Sequence, residues 1–157
     1  MIDIQTYSLY LQTSGLKVRC AVSNLLCFTG VLLFVMGLVT GFAIPAFRSS
    51  RIGLSAHLTG LQSGTALIAF GFLWPRVAFW PGWDVPLAYA VWISFYLLFF
   101  ALVLGAVWGT GRSLPIAGGS MKAQPWQERA TLGIMALGSF GCLGALAMVL
   151  AQWRWLS

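Results

Sequence analysis

Four apolar runs, each long enough to cross a bilayer and none holding an acidic residue, constrain this chain more than any other feature. They cover roughly residues 18–46, 52–74, 86–109 and 129–153. A helix rises about 1.5 Å per residue, so about 20 residues span a ~30 Å hydrocarbon core. No water reaches the backbone there, so a spanning segment must close its own hydrogen bonds as a helix. The expectation is an all-α integral membrane four-helix bundle, with residues 1–157 forming a single four-span transmembrane domain. Between the runs lie proline and glycine breaks. Pro45 and the Arg48-Ser49-Ser50-Arg51 turn separate the first two, Pro75 to Pro86 the next pair, and Gly109 to Pro125 forms the longest loop.

Charge supports the same class. Charged residues make up 8% of the chain, against about 25% in an ordinary soluble domain. Three acids (Asp3, Asp84 and Glu128) cannot dress a water-facing surface. The net charge of +6 comes from nine basic residues scattered singly, mostly at the ends of apolar runs. There they reach lipid headgroups, which argues for membrane lipid and against nucleic acid as the partner. Lys17, Arg19, Arg76 and Arg154 fall at one side, Arg48, Arg51, Arg112, Lys122 and Arg129 at the other, so the positive-inside rule leaves orientation open. Seven of the eight tryptophans (Trp74, Trp80, Trp83, Trp108, Trp126, Trp153 and Trp155) fall at expected helix ends or loops, the place of an aromatic belt. Trp92 lies inside the third run, as a cavity wall or helix contact. Cys20, Cys27 and Cys142 read as small buried hydrophobes. No cleavable export signal is read, because the first run starts near Val18 without a suitable cleavage site. Gly37 with Gly41, Gly60 with Gly64, and Gly141 with Ala145 have close-packing spacing.

His57 is the only histidine. It falls inside the second run, about 8 Å from its start. An ionisable side chain at membrane depth is costly and marks a functional site by default. Gly60 and Gly64 follow at i+3 and i+7 on its face, leaving a flat groove for a planar macrocycle or a closely packed neighbour. Ser63 at about 16 Å and Tyr96 at about 15 Å reach the midplane from opposite faces. Ser63 points about 120° away from His57, towards a different wall. Imidazole is a common ligand for metals and haem iron. One histidine and three dispersed cysteines cannot build a protein-only zinc site, whereas a haem brings four ligands of its own. No Ser-His-Asp set and no phosphate loop is present. The bland alternatives are a histidine that only hydrogen-bonds across helices, a Ser63 used in packing, and a Tyr96 with a satisfied core hydroxyl.

These residues resemble a known family, the small four-helix membrane isomerases that comprise styrene oxide isomerase and hydroxylaminobenzene mutase. Similarity to the mutase branch is carried by Arg51-Ile-Gly-Leu-Ser-Ala-His57-Leu-Thr-Gly60, Ala106-Val-Trp-Gly-Thr-Gly111 and Leu114-Pro-Ile-Ala-Gly-Gly119. Similarity to the epoxide isomerase branch rests on Ala56-His57 followed by Gly64, and on Phe95-Tyr96-Leu97. The resemblance implies a haem b, in its ferric form, with His57 as axial ligand, in a homotrimer whose haems lie near subunit interfaces. It implies that Tyr96 helps hold the substrate. Where the epoxide isomerases carry asparagine six residues after the histidine, this chain has Ser63, which is shorter and lacks the amide.

The reading that follows is a redox-neutral isomerase opening a small aryl epoxide to an arylacetaldehyde by Lewis-acid ring opening and a 1,2-hydride shift (a Meinwald rearrangement). In it Tyr96 and Ser63 are the catalytic side chains, and Trp92, Phe95, Gly60 and Gly64 line the substrate pocket. The expected location is a bacterial inner (cytoplasmic) membrane. The rivals are an aryl hydroxylamine mutase giving an aminophenol, and a haem protein carrying electrons or sensing a gas, with Met36, Met135 or Met148 as second axial ligand. A small structural subunit without cofactor is the last alternative.

Overall fold

The computed structural model describes residues 4–77, 79–112, 117 and 121–152, with side chains described from residue 15 onward. Four long helices alternate in direction: α1 (Ile4–Ala43), α2 (Ser50–Leu73), α3 (Asp84–Trp108) and α4 (Pro125–Ala151). Local chemistry explains most of their ends. Pro45 cannot continue α1 and sits in a short 3-10 turn, Ile44–Ala46. The Ser49 side chain accepts from the Ile52 N–H and caps α2. Gly109 takes a left-handed conformation, φ 72°, and stops α3.

Two boundaries differ from the sequence expectation. The first helix begins at Ile4 rather than near Val18, because the polar stretch before the apolar run holds no proline and continues the helix. The last begins at Pro125 rather than Arg129. Proline is a breaker inside a helix but a good first residue, where its missing N–H costs nothing. The Gln127 side chain then accepts from the Gln124 N–H at 2.9 Å and fastens that start.

Three helical stretches are long and apolar enough to cross a membrane: Gly15–Ala46, Asp84–Trp108 and Pro125–Ala151. The fourth helix, α2, carries Arg51, His57, Gln62 and other polar residues through its length. It nonetheless lies antiparallel against the apolar part of α1, at the same depth. Glycines make that seam: a Cβ on Gly37 would meet the Gly60 backbone at 2.9 Å, and one on Gly64 would meet Phe34 N at 2.6 Å. Further along, Gly71 is closed by Cys27. Close backbone approach of this kind drives helix association in lipid, where no hydrophobic effect operates between helices. On the other side Gly138 and Gly141 of α4 receive Leu98 and Ser94 of α3.

The bundle is not a closed square. Among the described residues α3 packs on α1, α2 and α4, while α4 packs on α3 alone. The buried core therefore collects around α3, with Val91, Phe95 and Phe99 facing Leu26, Leu33 and Leu67. At one end the Ser49 N–H donates to Ala106 O at 3.1 Å, Arg48 reaches Trp108 O, and the Arg112 N–H reaches Glu128. Arg48, Arg51, Arg112, Lys122 and Arg129 thus share that end. At the other, Arg19 approaches Val77 O and the Trp80 N–H donates to Gln152.

The aromatic belt holds for Trp80, Trp83 and Trp126, which are exposed. It does not hold for Trp74, which is fully buried and stacked on Phe79 at 4.6 Å. Trp153, Arg154 and Trp155, and most of the Leu114 to Gly119 stretch, lie outside the described residues. The cysteines are unpaired, and Cys20 is exposed rather than buried.

Candidate functional site

His57 sits two turns into α2, half-buried, where α2 crosses Gly37 and Gly41 of α1. Its Nδ1 lies 2.8 Å from Gly37 O. A carbonyl can only accept, so Nδ1 carries the proton. Nε2 is left with its lone pair and takes no hydrogen bond among the described residues. This is the arrangement that prepares an imidazole to ligate a metal, since the backbone bond fixes both tautomer and ring orientation. Gly41 makes it possible: a Cβ there would lie 2.7 Å from Nδ1.

No group of three histidine, cysteine or acidic side chains that could hold a metal ion exists among the described residues. A haem needs only one imidazole, and the His57 donor set fits that requirement. The neighbouring glycines do not add to the fit. Gly60 is closed by Gly37 and by the Phe99 ring, and Gly64 by Gly30 and Phe34. Of the two uses open to that face, the packed neighbour is the one realised in the single chain.

Tyr96 is tied to α1 as well. Its hydroxyl donates to Thr29 O at 2.7 Å, and its ring packs edge-on to Trp92 and tilted to Phe100. Gly37 and Thr29 are eight residues apart on α1, which separates the two anchored groups by about 12 Å along the axis. Within one chain, then, His57 and Tyr96 are not hydrogen-bonding neighbours. Ser63 is buried near the level of Gly30, close to the depth of the Tyr96 hydroxyl, but no hydrogen bond joins the two. Trp92 is half-buried, with an indole N–H that is buried and unpartnered. Phe95 belongs to the core.

The structure adds a feature that residue-by-residue reading missed. An apolar groove of about 230 Å³ runs between α1 and α3, lined by Val35, Met36, Thr40, Phe99, Phe100 and Val103 among others. Met36 and Thr40 bracket Gly37, so the groove lies at the depth of His57, about 100° around α1 from it. Thr40 is its polar contributor, and that hydroxyl donates to Met36 O at 2.7 Å. The spacing of Phe99 and Phe100 after Tyr96 was the available signal, but an all-apolar helix does not say which side faces a cavity.

Comparison with known proteins identifies the relatives of the chain. A family model described as styrene oxide isomerase matches residues 22–154. Hydroxylaminobenzene mutase HabA of Ectopseudomonas oleovorans is 35% identical over 102 residues, 64% of this chain and 76% of that protein. Hydroxylaminobenzene mutase HabB of the same organism is 34% identical over 128 residues, 80% of this chain and 75% of its own length. No solved structure matches the chain.

Proposed function

Because the chain belongs to the styrene oxide isomerase family, we propose that it is a haem-dependent, redox-neutral membrane isomerase of small aryl substrates with a cleavable bond to oxygen. The observation that carries this reading is His57, whose Nδ1–H is held by Gly37 O while Nε2 is left available. A ferric haem bound there would supply a Lewis acid for the substrate oxygen. Gly37 and Gly41 hold the imidazole, the first by its carbonyl and the second by its lack of a side chain. The apolar bundle excludes water, which would otherwise capture a cation-like intermediate. Phe99, Phe100 and Val103 offer the flat apolar surface an aryl ring needs. Tyr96 is a donor that a substrate oxygen can recruit from Thr29 O. The proposed assembly is a homotrimer in a bacterial inner membrane.

Two reactions fit this chemistry, and each conserves the atoms of its substrate. An aryl epoxide opens at the benzylic carbon, a hydride shifts, and an arylacetaldehyde leaves. An aryl hydroxylamine loses its N–O bond and gains a ring hydroxyl, giving an aminophenol. We place the hydroxylamine first, because both curated relatives described above are hydroxylaminobenzene mutases and because Ser63 stands where the epoxide isomerases carry asparagine. The epoxide reading is kept because the matching family model bears that name.

Purified protein in detergent, reconstituted with haem and given no electron donor, would be assayed with phenylhydroxylamine and with styrene oxide. Aminophenol as the faster product supports the first reading and phenylacetaldehyde the second. Turnover of neither, with a full complement of haem, would overturn both.

A further inference from the structure

Where α4 begins, a hollow of about 380 Å³ opens at the basic end of the bundle. Arg112, Lys122 and Arg129 stand around it, with Pro125 and Leu132 as its apolar wall and Glu128 among them. The three cationic side chains make no hydrogen bond or ion pair among the described residues. The Glu128 carboxylate is buried and accepts the backbone N–H groups of Arg112 and Ala123 at 3.3 and 3.4 Å. It thereby gathers the ends of the connecting segment, and one acid against three cations leaves the hollow positive.

Position selects the occupant. Trp108 and Trp126 meet edge-on at 5.2 Å beside this hollow, and Trp126 is exposed, which sets the level of the lipid headgroups. Below it Leu132 is exposed and begins an apolar surface that continues down α4 through Leu137, Phe140 and Leu143. A cationic rim over an apolar wall suits an amphiphile with a phosphate at its head. A free anion would use the rim alone, and exposed charges hold such ions weakly in water. At a membrane surface each basic residue contributes about 1 kcal/mol towards anionic lipid.

We propose that this hollow binds the phosphate headgroup of an anionic glycerophospholipid, with an acyl chain against Leu132 and the outer face of α4. The site is independent of the reaction proposed above. Its consequence is mechanical: α4 docks on α3 alone, and a lipid held between Arg112 and Arg129 braces that single junction.

The test compares full-length protein in detergent micelles doped with phosphatidylglycerol, with phosphatidylcholine of the same acyl chains, or with inorganic phosphate. Melting temperature and native mass spectra are recorded. At a lipid level tenfold above its Kd, phosphatidylglycerol should raise Tm by about 3–5 °C. Phosphatidylcholine and phosphate should leave it near the starting value. The double variant Lys122→Gln with Arg129→Gln alters exposed side chains only, and it should lose both the increment and the retained lipid adduct. Lys17→Gln, at the opposite end, should keep both. Equal stabilisation by phosphatidylcholine would reduce the site to an apolar surface. Stabilisation by phosphate alone would make it a free-anion site, and an unchanged increment in the double variant would place the lipid elsewhere. Each of these three results overturns the proposal.

Discussion

Gly41→Ala is the most direct probe of how the imidazole is held. The added methyl would lie 2.7 Å from Nδ1 and 2.9 Å from Cε1 of His57, against an ordinary contact of 3.4 Å or more. The ring must therefore retreat by about 0.7 Å, since α1 is pinned to α2 on the same face by Gly37 and Gly60. That movement stretches or breaks the 2.8 Å bond to Gly37 O. Losing an interhelical hydrogen bond in a membrane costs about 0.6 kcal/mol, and overpacking adds roughly 1–3 kcal/mol. A total near 2 kcal/mol lowers Tm by about 4–8 °C in a chain of this size. Gly133→Ala and Gly144→Ala are the controls: nothing lies within 4 Å of either position, so both should hold or slightly raise Tm through better helix propensity. The assays are thermal denaturation in detergent and, with haem added, Soret absorbance per protein. Gly41→Ala should lose both stability and haem occupancy, while the controls lose neither. A Gly41→Ala protein as stable as wild type, with full haem, would refute the account of the His57 seat.

Three further variants test the same region. His57→Ala should purify without a Soret band, and a full complement of five-coordinate haem in it would show that iron is held elsewhere. Tyr96→Phe removes the 2.7 Å bond to Thr29 O and should cost about 1 kcal/mol of stability with haem content unchanged. If the hydroxyl also reaches substrate, its rate falls by roughly 10- to 100-fold, and full activity would confine Tyr96 to helix packing. Ser63→Asn places a larger amide at a site that is 8% exposed. A loss of more than about 1 kcal/mol in unfolding would assign Ser63 to packing, whereas unchanged stability with a shifted ratio of epoxide to hydroxylamine turnover would assign it to the pocket.

The number of the helices and several of their ends were legible from hydropathy and from Pro45, Ser49 and Gly109, because an apolar run of more than about 20 residues in lipid satisfies its own backbone as a helix. The charged ends were equally legible, since Arg48, Arg51, Arg112, Lys122 and Arg129 stand where apolar runs stop. His57 stood out as the candidate ligand by its chemistry alone, as one titratable ring in an apolar helix.

Tertiary structure decided what those residues touch. Gly60 and Gly64 could have floored a groove or met another helix, and only the α1–α2 seam shows that Gly37, Gly30 and Phe34 occupy the space. The partner of the Tyr96 hydroxyl was not legible either, and in the folded chain it is Thr29 O. Trp74 stood at a helix end like the belt tryptophans, and it is buried against Phe79. Docking of α4 on α3 alone, and the groove beside Phe99 and Phe100, had no sequence signature. The physical reason is common to all of them. A soluble helix advertises its inner face by a polar stripe on the outer one, whereas a helix solvated by lipid is apolar all round, so its rotation and its partners are set by steric fit between whole surfaces.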